Sequence, residues 1–495
     1  MSDSIWIAVF AFAGAALVYA QVVYPAAMAL VGRRVRKRGQ APSVSGPCAS
    51  LTTAAGSQSA LAVRKRGQAP SVLGPCASLT TTAGSQSPFS NGEPATCPSV
   101  SLIIPAHNEE TTIASKLENA LAIDYPAERL EIIVASDGSS DRTVEIAESV
   151  SRLAERVDYI GPHIRVLDFP DRRGKTAVLN DAAREAAGEV LCLCDANVMF
   201  RPDALRRLAA RLEDPAIGAV SGDVRLASSE SEFAEGEAAY YRLERSVQLG
   251  ESRIGSMMGV DGGMYVVRRE LFRPLPDDTI VDDFVLSMRV IRQGRRVVYE
   301  PSAVATENGT PKARQEFRRR VRLSAGAMQV LKRGEWPPLS RPVEFAQFVS
   351  HKVLRWAGPV WLLALVVSSA ALWQAGWVFR IAACGQAAFY ALAAAAAASR
   401  RLRETRAGGI AFYFTLSHIG MAVGLLRGLF NLQPVTWRRT ERGAEGSGTS
   451  AAYSEGACRP VVQPLRGRHV VGPNVTGGTL ARTPGCDVEP LRGKD

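Results

Sequence analysis

The sequence predicts an α/β domain on a mainly parallel sheet, flanked by transmembrane helices. Three observations carry that prediction. Between about Val100 and Lys332, short apolar strands alternate with helical stretches, the pattern of right-handed crossovers and a largely parallel sheet. One long apolar run opens the chain, and three more lie between Val353 and Leu432. Polar residues that suit ligand binding recur just beyond the expected strand ends, where open sheets of this kind bind ligands.

In chain order, residues 1–32 come first. Ile5 to Val31 is almost entirely apolar, interrupted by Gln21 and Pro25, and about 20 such residues span a bilayer. No Lys or Arg precedes the run, whereas Arg33, Arg34, Arg36, Lys37 and Arg38 follow it. A cleaved signal carries its positive charge in front of a shorter core, so this flank predicts an uncleaved anchor with the following chain in the cytoplasm.

Residues 33–98 read as a low-complexity linker. Val35–Ser59 and Val63–Ser87 are near-copies at an offset of 28, differing only at Ser45/Leu73 and Ala54/Thr82. Gly, Pro, Ser, Thr and Ala dominate and leave no face to bury, so the repeat reads as a duplicated linker rather than a solenoid.

Residues 99–335 are the expected catalytic domain. Strands are predicted at Ser99–Pro105, Glu131–Ala135, Ile164–Phe169 and Val190–Cys194. Helices are predicted over Glu109–Ile123, from Asp141 to about Glu155, and over Gly174–Ala187. Residues 336–442 form the expected C-terminal membrane region, with apolar runs at about Val353–Trp373, Ile381–Ala398 and Ile410–Leu432. The basic loop Arg400–Arg406 fits a cytoplasmic connection. An even number of spans would leave Trp437-Arg438-Arg439 outside, against the charge rule, so one run is expected to be interfacial or re-entrant and the count stays open. Residues 443–495, rich in Gly, Pro, Thr and Arg, read as a disordered tail.

Composition narrows the class. With 46% hydrophobic and 22% charged residues, the chain is neither wholly disordered nor collagen-like. Its net charge of +11 comes from basic residues that flank apolar runs and interleave few aromatics, which suits an anionic membrane surface and no nucleic acid. Eight scattered cysteines are no disulfide scaffold. Cys192 and Cys194 alternate in an apolar strand and read as buried thiols, since a metal would need further ligands nearby.

The candidate chemistry lies at strand exits. Asp195-Ala196-Asn197 offers two oxygen donors at i and i+2, suited to a hard cation that takes its remaining ligands from phosphate; the ordinary alternative is a turn. Asp137-Gly138-Ser139-Ser140-Asp141 reads as a turn with Asp141 as helix cap. Lys175 opens a helix, where free N–H groups favour phosphate. Asp282-Asp283 reads on its own as a helix cap, and Arg314–Arg322 as a basic helix at a bilayer surface. No GxxxxGK[ST] or GxGxxG pattern follows a strand, so neither a P-loop nor a dinucleotide fingerprint is supported.

Taken in order, these segments resemble family-2 glycosyltransferases of the GT-A fold. Pro105-Ala106-His107-Asn108-Glu109 is similar to the family's opening strand and nucleotide loop, Asp137 to its base-contacting acid, and Arg173–Asn180 to its diphosphate stretch. Asp195-Ala196-Asn197 falls where the family has Asp-x-Asp, and Asp261-Gly262-Gly263-Met264 resembles its acceptor segment. Val281–Leu286 resembles Glu-Asp-x-x-Leu, and Gln315–Arg319 resembles Gln-x-x-Arg-Trp. The flanking spans agree with membrane-bound members such as poly-N-acetylglucosamine, hyaluronan and cellulose synthases, and Pro434–Trp437 with Thr440–Arg442 is similar to their sequence after the last span.

The resemblance implies an inverting glycosyltransferase in the cell inner membrane, multi-pass, with its catalytic domain cytoplasmic. It implies a nucleotide-sugar donor, a UDP-sugar by preference, a polysaccharide or lipid acceptor, and Mg2+ or Mn2+ held at Asp195 and Asn197. Asp283 is the implied catalytic base. Glu109, Asp137, Lys175, Asp195, Asp261, Gly262, Gln315, Arg318 and Arg319 are the implied substrate-binding residues. Three positions depart from the pattern: Asn197 for the second Asp, Asp282 for Glu, and Arg319 for Trp. An aromatic face stacks on a sugar where a guanidinium does so less well. Three readings follow: growth of a cell-surface polysaccharide, single-sugar transfer to a lipid or lipid-linked acceptor, and an inactive scaffold that binds nucleotide sugar. The intact acids at 137, 195 and 283 disfavour the last.

Overall fold

The computed structural model describes residues 3–38, 97–154, 161–226, 234–307 and 313–436. Residues 39–96 of the expected linker, Trp437–Arg442 and the expected tail lie outside the described residues, and the linker's first residues, 33–38, continue a helix instead. The central element is an eight-stranded sheet in the order β3-β2-β1-β4-β7-β6-β8-β5. Its strands are β1 (Val100–Ala106), β2 (Leu130–Asp137), β3 (His163–Phe169), β4 (Val190–Cys194), β5 (Met199–Phe200), β6 (Ile217–Leu226), β7 (Met264–Arg268) and β8 (Arg296–Glu307). The first four lie within about two residues of their expected bounds.

Burial explains why these strands are continuously apolar. Leu102, Ile104, Ile132, Val134, Cys192 and Cys194 point into one core layer, and Ile103, Ile133, Leu191 and Leu193 into the other. Both faces of the central strands are covered, so alternation directs side chains to two apolar layers instead of one apolar and one wet face. Cys192 and Cys194 are free thiols in the first layer.

Four of the seven strand pairings are parallel. β7 refines the expectation of a mainly parallel sheet, because it runs antiparallel to both β4 and β6. An antiparallel strand begins at the edge where its neighbours end. Asp261-Gly262-Gly263, which lead into β7, therefore reach the same edge as the Asp195 turn after β4.

Helices cover both faces: α3 (Ile113–Leu121), α4 (Thr143–Ala154), α5 (Lys175–Glu185), α6 (Ala204–Arg211), α7 (Ala234–Ile254), α8 (Asp282–Arg292) and α9 (Ala313–Arg333). α3 starts four residues later than the expected Glu109. The Glu109 N–H donates instead to Thr143 Oγ1 at 2.7 Å, and Asn108, with φ +55°, accepts from the Ser140 N–H at 2.8 Å. This segment's polar groups serve the loop after β2 before the helix begins. Asp141 caps α4 as expected, accepting from the Thr143 N–H at 3.0 Å. Asp282 and Asp283 do not cap α8: Val281 occupies that position and both acids lie in the first turn.

The N-terminal helix runs as α1 (Asp3–Val18) through one π-turn (Tyr19–Val23) into α2 (Tyr24–Arg38). After the catalytic domain come α10 (Pro342–Phe348), a second π-turn (Val349–Val353), α11 (Leu354–Trp356), α12 (Gly358–Ala371), α13 (Trp377–Ala398), α14 (Arg400–Arg403) and α15 (Arg406–Leu429). Among the described residues, three helices are long and apolar enough to cross a membrane: Asp3–Arg33, Trp377–Ala398 and Arg406–Leu429. The expected run Val353–Trp373 is not straight. Its helices Pro342–Trp356 and Gly358–Ala371 meet at 57°, because Pro359 has no N–H to continue a helix and its ring clashes with the preceding turn. Counted as one span, the bent pair makes a fourth.

A buried polar network ties the N-terminal helix to the catalytic domain and the bend. Glu251 of α7, fully buried, accepts from Tyr24 Oη at 2.7 Å and from the Met258 N–H at 3.1 Å, and pairs with His351 Nδ1 at 2.8 Å. His351 Nε2 reaches Glu244 at 2.9 Å, which also holds Arg355 at 2.7 Å. Both π-turns border this network, one carrying His351 and the other ending beside Tyr24. Removing one partner of a buried charged network costs about 3–5 kcal/mol. Glu251→Ala is therefore expected to lower stability by that order in chemical denaturation of the detergent-solubilised protein; an unchanged midpoint would show that the network does not secure the membrane helices.

Candidate active site

The loops after β1 and β2 interlock. His107 Nδ1 donates to the Asp137 carbonyl at 2.7 Å, and the Asn108 N–H donates to Ser139 Oγ at 3.2 Å. Asp137 is completely buried, and its carboxylate accepts from the Arg173 N–H at 2.7 Å and the Gly174 N–H at 3.0 Å. It holds the turn that leads into α5 and has no exposed surface for direct contact with a base. Gly138 between them has φ +60°, and a Cβ there would stand 2.7 Å from the Arg172 nitrogen, so this crossing admits only glycine. Glu109 sits at the mouth of the same loop pair, half-buried.

Lys175, at the start of α5, reaches across the edge. Its ammonium lies 2.8 Å from Asp195 Oδ1 and 3.6 Å from Asp282 Oδ2. Burial opposes charge on this lysine, but Asp195 and Asp282 outweigh it and raise its pKa above the ordinary lysine range. Asn180, five residues on, belongs to the scaffold: its Nδ2 donates to the Leu275 carbonyl at 2.7 Å and its Oδ1 accepts from the Leu275 N–H at 2.9 Å. With Thr176 Oγ1 on the Thr279 carbonyl at 3.0 Å, it staples the segment that delivers Asp282 to Lys175.

The second half of the site is acidic. Asp283 accepts from the Phe284 N–H at 2.7 Å; burial and then Asp282 push its pKa up to about 6, against Lys175 and that N–H. Asp261 accepts from the Gly263 N–H at 3.0 Å, while burial and then Glu307 push it up to about 7. Gly262 lies against Asp283, since a Cβ there would stand 2.9 Å from Asp283 Oδ2. Asn197 Nδ2 donates to Glu307 at 3.4 Å. Lys175, Asp195, Asn197, Asp261, Gly262, Asp282 and Asp283 are thus brought to one edge.

The α9 residues divide. Gln315 has a buried Oε1 without a hydrogen-bond partner among the described residues, and Arg318 is exposed. Arg319 Nη1 donates to Tyr241 Oη at 3.3 Å and lies 3.5 Å from Glu316, within the field of Glu307. Arg320 and Arg322, expected to face lipid headgroups, turn inward. Arg320 bonds Glu316 and Tyr413 at 2.7 Å each, and Arg322 donates to the Ile280 carbonyl at 3.0 Å. Buried Glu316 and free backbone carbonyls claim these guanidiniums.

Two further residues, Glu307 and Lys116, were not singled out by the sequence, and Ser221 falls in the stretch Ser221–Arg225 that sequence alone expects to shape the pocket. Glu307 ends β8, a strand outside the expected set. Ser221 Oγ accepts from the Asp261 N–H at 2.9 Å. Lys116, 1% exposed, donates to the Val198 carbonyl at 2.5 Å and lies 4.3 Å from the Phe200 ring centre. It braces the strand that follows the Asp195 turn. Its signal was position, because Ile113, Lys116, Leu117 and Ala120 fall on one helix face.

Residues 101–275 match the family described as Glycosyl transferase family 2, and residues 190–422 match Glycosyl transferase family group 2. The probable glycosyltransferase YdaM of Bacillus subtilis (strain 168) is 30% identical over 244 residues, covering 47% of this chain and 56% of its own. The poly-beta-1,6-N-acetyl-D-glucosamine synthase of Staphylococcus aureus (strain COL) is 26% identical over 239 residues, with the same coverages of 47% and 56%. The chain therefore spans about half the length of these curated relatives. The solved mannosyltransferase PcManGT from Pyrobaculum calidifontis, in complex with GDP-Man and Mn2+, has a TM-score of 0.53 at 25% identity, covering 69% of this chain and 90% of that one.

Gly262→Ala tests the close approach to Asp283. The carboxylate must rotate away, so activity is expected to fall by about 10²-fold while thermal stability stays near wild type. Full activity in the folded variant would mean that Asp283 needs no fixed position.

Proposed function

Because the chain belongs to the family-2 glycosyltransferases, we propose that it is a membrane-bound inverting enzyme that moves a sugar from a nucleotide-diphosphate donor to a growing cell-surface polysaccharide. One observation carries this reading: Lys175 bridges Asp195 and Asp282 beside a half-buried Asp283 whose pKa is raised to about 6. Such an edge holds a polyanionic leaving group on one side and a proton acceptor on the other.

The donor set fits a divalent cation. Among the described residues, Lys175 lies between the carboxylates of Asp195 and Asp282, with Asp261 and Asp283 close by; burial first, and neighbouring acids second, raise Asp261 and Asp283. Among the described residues no three His, Cys, Asp or Glu side chains form a metal-binding group, which suits an open site that shares its ion with the donor. Asp195 and Asn197 would hold Mg2+ or Mn2+, with phosphate oxygens and water as the other ligands. Such an ion supplies Lewis-acid stabilisation of the diphosphate; PcManGT is solved with Mn2+.

The remaining work falls to the chain. Lys175 places positive charge where the leaving diphosphate gains negative charge, and the turn held by Asp137 fixes the start of α5. Asp283 takes the proton of the acceptor hydroxyl as it attacks the anomeric carbon. Direct displacement inverts that carbon, so an α-linked donor gives a β-linkage. A UDP-sugar is the donor we favour, and an inner-membrane location with a cytoplasmic catalytic domain agrees with the basic flank after the first apolar helix. The alternative, single-sugar transfer to a lipid or lipid-linked acceptor, is favoured by Arg319, which stands where polymerising members carry Trp.

Nucleotide diphosphate release from a panel of UDP- and GDP-sugars, with sizing of the labelled product, tests the proposal. A long product supports the polymerase and a single added sugar supports the alternative; binding without release would leave only an inactive scaffold. Asp283→Asn is expected to reduce transfer by about 10²–10⁴-fold with nucleotide binding retained. The base works ionised, so activity is expected to rise with pH through about 6 and to fall away below it. A flat profile from pH 5 to 7 would remove Asp283 from the base role.

A further inference from the structure

We propose that Glu307 is a positioning residue for the donor-side cation: it takes the nitrogen of the Asn197 amide, so that Oδ1 is the end left to the ion. The inference deepens the transferase reading and rests on it for the ion; the hold on Asn197 stands on geometry.

Asn197 sits in a tight turn. The Val198 N–H donates to the Asp195 carbonyl at 3.2 Å, so Ala196 and Asn197 are its two central residues. Separate elements fix this turn at three points. Lys175 of α5 holds Asp195 Oδ1 at 2.8 Å, Lys116 of α3 donates to the Val198 carbonyl at 2.5 Å, and Glu307 of β8 accepts from Asn197 Nδ2 at 3.4 Å. The strand that follows the turn, β5, pairs with the end of β8, with Met199 opposite Thr306. That pairing brings Glu307 up to the turn. Each of the two candidate ligands thus has its own outer partner, Lys175 for Asp195 and Glu307 for Asn197.

Elementary chemistry dictates which end of the amide Glu307 takes. An ionised carboxylate only accepts hydrogen bonds, whereas an amide donates from nitrogen and accepts at oxygen. Nδ2 must therefore face Glu307, and Oδ1 is turned away from it. Among the described residues Oδ1 takes part in no hydrogen bond. A hard cation binds the amide oxygen and has no use for the NH2 group. Without the carboxylate, either end of the amide could face the ion. Outer partners that orient a metal ligand in this way are worth about 10–100-fold in affinity.

The same contact gives a reason for asparagine at 197, where the resemblance would put aspartate. An aspartate would set a second carboxylate against Glu307 across the present 3.4 Å, and like charges that close disfavour joint ionisation. The edge is already acidic: after burial, Glu307 does most to raise Asp261. Asparagine keeps an oxygen for the ion and adds no charge.

Mn2+ uptake by the full chain in nanodiscs tests this, with UDP or GDP present. Water-proton relaxation distinguishes Mn2+ held on the protein from Mn2+ on free nucleotide. Glu307→Ala, which removes the acceptor, is expected to weaken Mn2+ binding about 10–100-fold. Glu307→Gln, whose side-chain carbonyl still accepts from Nδ2, is expected to stay closer to wild type than to Glu307→Ala. Equal weakening in both overturns the proposal, because Glu307 would then act through its charge; so does unchanged affinity in Glu307→Ala. Asn197→Asp is expected to bind Mn2+ no tighter than wild type, and to gain affinity when combined with Glu307→Gln. Tighter binding by Asn197→Asp alone, or no gain in the combination, counts against Glu307, and this pair decides the matter should Glu307→Ala fail to fold. Nucleotide diphosphate release from the donor panel is followed separately. Release by a wild type that takes up no Mn2+ keeps the transferase reading and removes this inference. The expected order of Mn2+ affinities without release from any donor keeps Glu307 and loses the transferase reading.

Discussion

The site is organised around one electrostatic constraint. Asp195, Asp261, Asp282 and Asp283 converge on a sheet edge, and the ammonium of Lys175 lies between two of them at 2.8 and 3.6 Å. Like charges this close, partly withdrawn from water, disfavour full ionisation. The structure answers in two ways: Lys175 is held firmly cationic, and Asp261 and Asp283 titrate nearer neutrality than free carboxylates. Burial raises both acids first, and the neighbouring carboxylates add to it, while Lys175 holds Asp283 down. Removing Lys175 would therefore push Asp283 further up.

Backbone geometry makes that arrangement possible. Asp137 is spent entirely on the turn before α5, so a charged side chain contributes by fixing where Lys175 begins. Asn180 and Thr176 then fasten the same helix to the segment that carries Asp282 and Asp283. Lys116 performs the matching service beneath the Asp195 turn, through the Val198 carbonyl. Burying an ammonium is costly unless it is well partnered, and here the partner is the strand that must not move.

The apolar helices and the α/β domain share contacts. α9 carries Gln315, Arg318 and Arg319 and packs along α15, where Gly420, Gly424 and Gly428 meet it. α7 carries Tyr241, which accepts from Arg319, Arg245, which pairs with Asp223, and Glu251, which joins the network with Tyr24 and His351. A displacement of the N-terminal helix or of α15 would thus be felt by residues of α7 and α9.

Sequence by itself determined the parts set by local patterning: the first four strands, the helices between them, the apolar helices at each end, and the acids Asp137 and Asp195 at strand exits. Alternation and apolar length are properties of neighbouring residues, so they can be read in order. Tertiary structure alone decided what depends on residues far apart in the chain. Asp282 as a partner of Lys175, Glu307 beside Asn197, the inward turn of Arg320 and Arg322, and Arg225 with Arg245 on one buried acid all join separate elements. The 57° bend at Pro359 falls within a stretch that sequence alone reads as one apolar run. Charges take their roles from the partners that folding brings within a few ångströms, and spacing along a chain does not fix those distances.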